Sequence, residues 1–249
     1  MFLKKLYLIF KFLVKKLDLF IGGSYLHKIY DYFYNPNMFI LDKKHQRKIV
    51  LFYNQNNDLL AKLSSTYNTD KGSIEKIKTN KNKFGYETHT YTDFYSILFG
   101  SFKENIKLVF ECGILNGASL RMWRDYFVNS EIFGADINKD LLFNENRIKT
   151  FYVDQTSRSS IKEMWTNIQK NNFDLIIDDG LHTNEANIKL FEESFKFLKS
   201  NGIYIIEDVS NDNLISLKNN LDNYNPEIVV LKSKEVRYSN NNLMIFRKV

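Results

Sequence analysis

A chain of 249 residues, 44% hydrophobic and 26% charged, can bury a sizeable core and does not have the composition of a disordered protein. Its one cysteine, Cys112, excludes an internal disulfide and a cysteine-based metal cluster, and points to a reducing compartment such as the cytoplasm. The net charge of +6 is no signature of nucleic-acid binding by the body of the protein: residues 1–50 hold ten Lys/Arg against three Asp, and the other 199 residues hold 25 basic and 26 acidic.

The chain opens "MFLKKLYLIFKFLVKKLDLFIGG". On a helix over 2–21, Lys4, Lys5, Lys11, Lys15, Lys16 and Asp18 fall within one arc, and Leu, Phe and Ile fill the rest. No apolar run approaches the roughly 18–20 residues of a transmembrane helix, and no small-residue cleavage site follows. Two readings stand side by side. The helix packs on the domain or on a second subunit, making a homo-oligomer, or it lies on an anionic membrane surface at the inner face. Residues 1–65 thus read as a helical and irregular N-terminal extension. Residues 66–105, polar and loop-like until about 90, read as a lid or lead-in segment.

From residue 106 the pattern is regular. The apolar runs "IKLVFECGI", "EIFGADI", "KTFYVDQ", "FDLIIDDG" and "IYIIEDV" alternate with helical stretches, of which "NGASLRMWRDYF" sets Leu120, Trp123 and Phe127 on one face. "EIVVLK" and "LMIFRK" follow without a convincing helix between them. Strand and helix in alternation predict a doubly wound, mostly parallel α/β sheet of the Rossmann-like kind, seven-stranded and ending in an antiparallel β-hairpin, over 106–249.

Ligands of such sheets bind beyond the carboxyl ends of the strands, and acidic groups end all five of the first runs. Glu111 precedes Gly113 and Gly117, glycines that let the backbone turn closely under a ligand. Asp136 lies where an acid can bind ribose hydroxyls. Asp154 and Gln155 end the third run, Asp178 and Asp179 the fourth, with His182 just beyond, and Glu207 and Asp208 the fifth. Any one of them alone reads as a helix cap or loop carboxylate. Together, Asp179, Glu207 and Asp208 repel one another unless protonated or holding a cation, and all-oxygen ligation favours magnesium. A dinucleotide dehydrogenase fits less well, because Leu115 stands at the middle position of its glycine fingerprint and Glu111 would face a pyrophosphate.

"ECGILNGASLRMW", "GADIN", "DQ", "IIDDGLH" and "YIIEDV", in this order, resemble S-adenosylmethionine-dependent methyltransferases of the Rossmann type. More closely they resemble the metal-dependent sugar O-methyltransferases of the macrocin and mycinamicin type and their relatives in polysaccharide gene clusters. Upstream, "TDKG" and "HTYTDFY" (with His89, Tyr91 and Tyr95) are similar to that family's lead-in motifs. The resemblance implies that Glu111, Gly113 and Gly117 hold the methionine end of S-adenosylmethionine and Asp136 its ribose. It implies that Asp154, Gln155 and Asp178 line the adenine side. It further implies Mg2+ on Asp179, Glu207 and Asp208, with His182 as the base. A sugar hydroxyl of a surface glycan or its precursor is the implied acceptor, with no nucleic-acid partner. Two other readings stay open: a same-fold hydroxylase-like relative that uses the cation site, and a non-catalytic membrane-docked scaffold.

Overall fold

The structure is a computed structural model that describes residues 48–52, 58–72, 89–232 and 241–249. These belong to one compact unit, Arg47–Val249. The basic helix expected over 2–21, and most of the N-terminal extension, lie outside the described residues.

Nine strands form one sheet. They are β1 (Lys48–Phe52), β2 (Leu108–Cys112), β3 (Glu131–Asp136), β4 (Asn144–Glu145), β5 (Ile148–Tyr152), β6 (Phe173–Asp178), β7 (Leu198–Ile206), β8 (Glu227–Lys232) and β9 (Asn242–Arg247), in the order β1-β8-β9-β7-β6-β2-β3-β5-β4. From β5 to β7 all pairings are parallel. β9 runs antiparallel to both β7 and β8, which makes the expected C-terminal hairpin and inserts its second strand beside β7. The expected seven strands form the body of the sheet. β4 adds a two-residue antiparallel edge, and β1 a parallel edge on β8. β1, "KIVLF", falls within the stretch the sequence reads as helical and irregular; four consecutive apolar residues are too few for periodicity to separate strand from helix.

Helices cover both faces, as a buried parallel sheet requires. One face carries α1 (Leu59–Tyr67), α2 (Tyr91–Phe99) and α3 (Ala118–Tyr126), which pack on Val109, Ile132, Leu175, Ile177, Ile203 and Ile205. Its centre is aromatic: Trp123, fully buried, stacks on Phe127 and meets Tyr95 and Phe99 edge-on. The other face carries α4 (Arg158–Ile168), α5 (Asn184–Ser194) and α6 (Asn211–Leu221). There Trp165 packs on Phe110 and Phe173, and Phe191 on Tyr204 and Phe246. Alternate residues of each strand thus serve opposite faces.

α4, α5 and α6 start on Ser157, Thr183 and Ser210, whose side-chain oxygens accept from the backbone N–H three residues on. These caps end each strand-to-helix loop on the same edge of the sheet, where the acidic residues sit.

Candidate active site

All six residues of β6 are buried, and its parallel neighbours hold it in register, Cys112 and Ile206 both opposite Asp178. The two-residue period of the strand sends Ile177 and Asp179 to the α1–α3 face and Ile176 and Asp178 to the α4–α6 face. The consecutive aspartates of "DDG" therefore lie in different surroundings.

Asp178, fully buried, is surrounded by amides. Gln155 Nε2 donates to its Oδ1 at 2.7 Å, and Asn187 Nδ2 of α5 to its Oδ2 at 2.9 Å. Burial pushes this carboxyl up to about 6, and the hydrogen bonds from Asn187 and Gln155 oppose that push. Gln155 Oε1 in turn accepts from Leu181 N at 2.7 Å, so the same side chain fixes the turn after β6. An added Cβ at Gly180 would stand 2.2 Å from that oxygen, which explains a glycine there.

Asp179 meets an ammonium. Lys71, 1% exposed, places Nζ 2.7 Å from Asp179 Oδ2 and 3.0 Å from Glu111 Oε1, and donates to Glu207 Oε2. Glu111 and Glu207 are themselves fully buried. Trp123 Nε1 donates to Glu111 Oε2 at 2.8 Å, and the Tyr95 hydroxyl donates to Glu207 Oε1. Burial raises Glu207 to about 7 against the pull of Lys71, and burial also raises Asp179, whose neighbours Glu207 and Asp208 add to the effect. For Lys71, burial favours the neutral amine, but the three carboxylates outweigh it and hold the ammonium charged.

Asp208 follows β7 with φ 54, a left-handed backbone that is strained for a side-chain-bearing residue. Tyr91 donates its hydroxyl to Oδ1, and His89 Nε2 lies 3.2 Å from Oδ2. His89 stacks on Tyr91, and its Nδ1 meets Asn241 Oδ1 at 3.2 Å. Burial opposes ionisation of Asp208, but the cationic form of His89 pulls its carboxyl down to about 2. His182, on the turn after β6, sets Nε2 3.7 Å from the same Oδ2.

Asp179, His182 and Asp208 converge, with one ligand atom from each within 4.8 Å of the others. The two carboxylates suit a divalent cation, their oxygens serving as hard ligands, and the imidazole stands beside them.

Beside this cluster opens a cavity of about 260 Å³. Gly113, Ile114 and Asn116 from the β2–α3 turn, Ser119 of α3, Asp136 and Asp179 line it, and Asn68, Thr69 and Asp70 form the wall above. Gly113 has φ 86, and a Cβ there would fall 2.0 Å from the Asp179 carbonyl oxygen; the two strand ends touch backbone to backbone. Leu115 takes φ 43 in the same turn. Asp136 accepts from Ile114 N at 3.1 Å and from Asn138 N at 2.9 Å, which fixes its carboxylate at the rim.

The sequence-predicted residues divide by place. Gly113, Asp136 and Asp179 line the cavity, and Gly117 starts α3 immediately below it. Glu111 lies buried beneath, between Lys71 and Trp123. Asp154 is held by the Thr156 N–H and hydroxyl, whose hydrogen bonds keep its carboxyl below the usual range. Asp154, Gln155 and Asp178 are not among the residues lining this cavity. His182 and Asp208 join Asp179, whereas Glu207 stands behind them with Lys71. Sequence reasoning missed Lys71, the two tyrosine donors Tyr91 and Tyr95, and the two amides Asn187 and Asn241. Lys71, Tyr91 and Tyr95 lie within the noted motifs "TDKG" and "HTYTDFY", but no spacing rule gave them a role. Asn187 sits inside an amphipathic helix, where a polar residue reads as ordinary surface.

No family model matches the chain. It is 31% identical over 140 residues to the 8-demethyl-8-alpha-L-rhamnosyl tetracenomycin-C 2'-O-methyltransferase of Streptomyces olivaceus, over 53% of this chain and 36% of that protein. It is also 31% identical over 157 residues to the mycinamicin VI 2''-O-methyltransferase of Micromonospora griseorubida, over 60% of this chain and 36% of the other. The match thus spans about a third of these relatives' length. Among solved structures, the MycE methyltransferase of the mycinamycin biosynthetic pathway, in complex with Mg and SAH, superposes with a TM-score of 0.54 at 25% identity, covering 78% of this chain and 55% of that one. The chain therefore has the Rossmann-like fold of class I methyltransferases, and its homologues are sugar O-methyltransferases of the mycinamicin, macrocin and tetracenomycin type.

Proposed function

We propose that this protein is an S-adenosylmethionine-dependent, Mg2+-dependent O-methyltransferase that acts on a sugar hydroxyl. The observation that carries this reading is the convergence of Asp179, His182 and Asp208 beside a cavity floored by Gly113 and rimmed by Asp136. The likeness to sugar O-methyltransferases supports it.

In this reading the β2–α3 turn and Asp136 hold the donor. Gly113 lets the backbone approach it closely, and Asp136 takes the ribose hydroxyls. Glu111 backs the methionine end of the donor from beneath the turn, and Asp178 with Gln155 and Asp154 shapes the adenine end. Asp179 and Asp208 hold Mg2+, with Glu207 behind them. The donor supplies an electrophilic methyl, and the cation supplies positive charge that lowers the pKa of an acceptor hydroxyl. His182 accepts the hydroxyl proton at Nε2, and Asp208, 3.7 Å away, stabilises the imidazolium that results. The rigid strand ends align hydroxyl and methyl, and that positioning contributes much of the rate.

The acceptor in this proposal is a sugar of a surface glycan or its precursor, modified in the cytoplasm. In this proposal the basic, apolar pattern of residues 2–21 serves one of two ends, peripheral contact with an anionic membrane or packing that builds a homo-oligomer. Among the described residues no helix is long and apolar enough to cross a membrane. The experiment is calorimetric titration with S-adenosylmethionine with and without Mg2+, followed by mass analysis of sugar acceptors. Donor binding and a product heavier by one methyl are expected. A product heavier by one oxygen, or no donor binding, overturns the proposal.

A further inference from the structure

Lys71 has no role in the chemistry just described, yet it is among the most deeply buried side chains of the molecule. Its backbone is fixed from both sides. Its N–H meets Thr69 Oγ1 at 3.3 Å, and its carbonyl accepts from Tyr91 N at 3.0 Å and Thr92 N at 3.1 Å. Thr69 Oγ1 is in turn 2.6 Å from Ser64 Oγ of α1. The four-carbon stem therefore starts from a point held by α1 and α2 and ends between β2, β6 and β7. There the ammonium donates to Asp179 and Glu207 and pairs in charge with Glu111, whose Oε1 lies 3.0 Å away. Buried ion clusters are a poor way to stabilise a fold, since apolar packing of equal volume does as well or better. This one lies directly behind the converging cation ligands.

We propose that Lys71 is a positioning residue of the cation site. By holding Asp179 Oδ2 and Glu207 Oε2 on one ammonium, it sets the direction in which the remaining oxygen of Asp179 faces Asp208 and His182. Without it, Asp179 and Glu207 are like charges with nothing between them, and they turn apart. The inference rests on the methyltransferase reading only in assuming that a divalent cation binds at Asp179 and Asp208.

The test uses the full-length protein with S-adenosylhomocysteine present and Mn2+ as the probe, free Mn2+ being followed by electron paramagnetic resonance. Lys71→Met is expected to weaken Mn2+ binding by about tenfold or more, the size typical of lost support behind metal ligands, while S-adenosylhomocysteine affinity stays within about threefold. Lys71→Arg keeps the charge but not the three-donor geometry, and its Mn2+ affinity should fall between the two. A folded Lys71→Met protein that binds Mn2+ as tightly as wild type, or more tightly, overturns the inference. If that variant does not fold, Lys71→Arg decides: weakening beyond about threefold supports the inference, and anything less overturns it. Wild-type protein that binds S-adenosylhomocysteine but no Mn2+ overturns the cation requirement and the inference with it. Normal Mn2+ binding by both wild type and Lys71→Met overturns the inference alone.

Discussion

Asp178 and Asp179 are adjacent in sequence and face two different environments. On the α4–α6 side, Asp178 is enclosed by the neutral amides of Gln155 and Asn187. On the α1–α3 side, Asp179 shares an ammonium with two further carboxylates, and its neighbour Asp208 faces two imidazoles. The first environment satisfies one buried acid and closes a turn. The second gathers more negative charge than its own lysine neutralises. A buried acid whose partners are complete holds structure in place, and an acid whose charge is left over attracts a ligand.

The largest expected effect tests the charged side. His182→Ala should lower methyl transfer by about 10²–10⁴, the usual contribution of a positioned base, while S-adenosylhomocysteine affinity and thermal stability stay near wild type. Loss of donor binding in that variant would mean that the two sides are not separate. The amide side should respond in stability instead. Asn187→Leu leaves Asp178 Oδ2 without its donor in a fully buried place and should cost about 2–3 kcal/mol in urea unfolding. A change below about 0.5 kcal/mol would show that Gln155 alone suffices.

The smallest effect sharpens the contrast through pH. Burial lowers the pKa of His89, but Asp208 more than compensates, so its folded value lies above the ordinary 6.5. Its stabilisation is therefore fully present below the unfolded value and is lost as pH rises through the raised folded one. His89→Gln should destabilise by about 1–2 kcal/mol near pH 5.5, as expected for one charged hydrogen bond, and by less near pH 9. Thermal melts across that range check it; a difference that grows with pH would contradict the pairing.

Much of this was legible in the sequence because strand ends can be found there. The alternation of apolar runs with amphipathic stretches predicts the parallel sheet, and the acids after each run fall on one edge because the strands run parallel. What the sequence hides is what arrives from elsewhere. Lys71 meets Glu207 across 136 residues and His89 meets Asn241 across 152, and no local pattern encodes such pairings. Asn187 is hidden differently, since a buried asparagine on a helix looks like any polar position until its carboxylate partner is placed against it. β1 was hidden by its shortness, and its partner β8 lies far along the chain.

The insertion of β9 between β7 and β8 bears on the order in which the domain assembles. Through β8, strand β1 connects to the rest of the sheet only by way of β9. Neither β1 nor β8 can dock until residues 242–247 have paired with both β7 and β8, although β1 stands first among the described strands. The same event brings in Asn241, which bonds His89 and Thr90, and Asn242, which accepts from Val209 N through its carbonyl. Docking of β9 thus fixes Asn241 against His89 and, through His89, the carboxylate of Asp208. On this topology, the pairing of β9 is a long-range closure of the sheet, and the Asn241–His89 contact beside Asp208 depends on it.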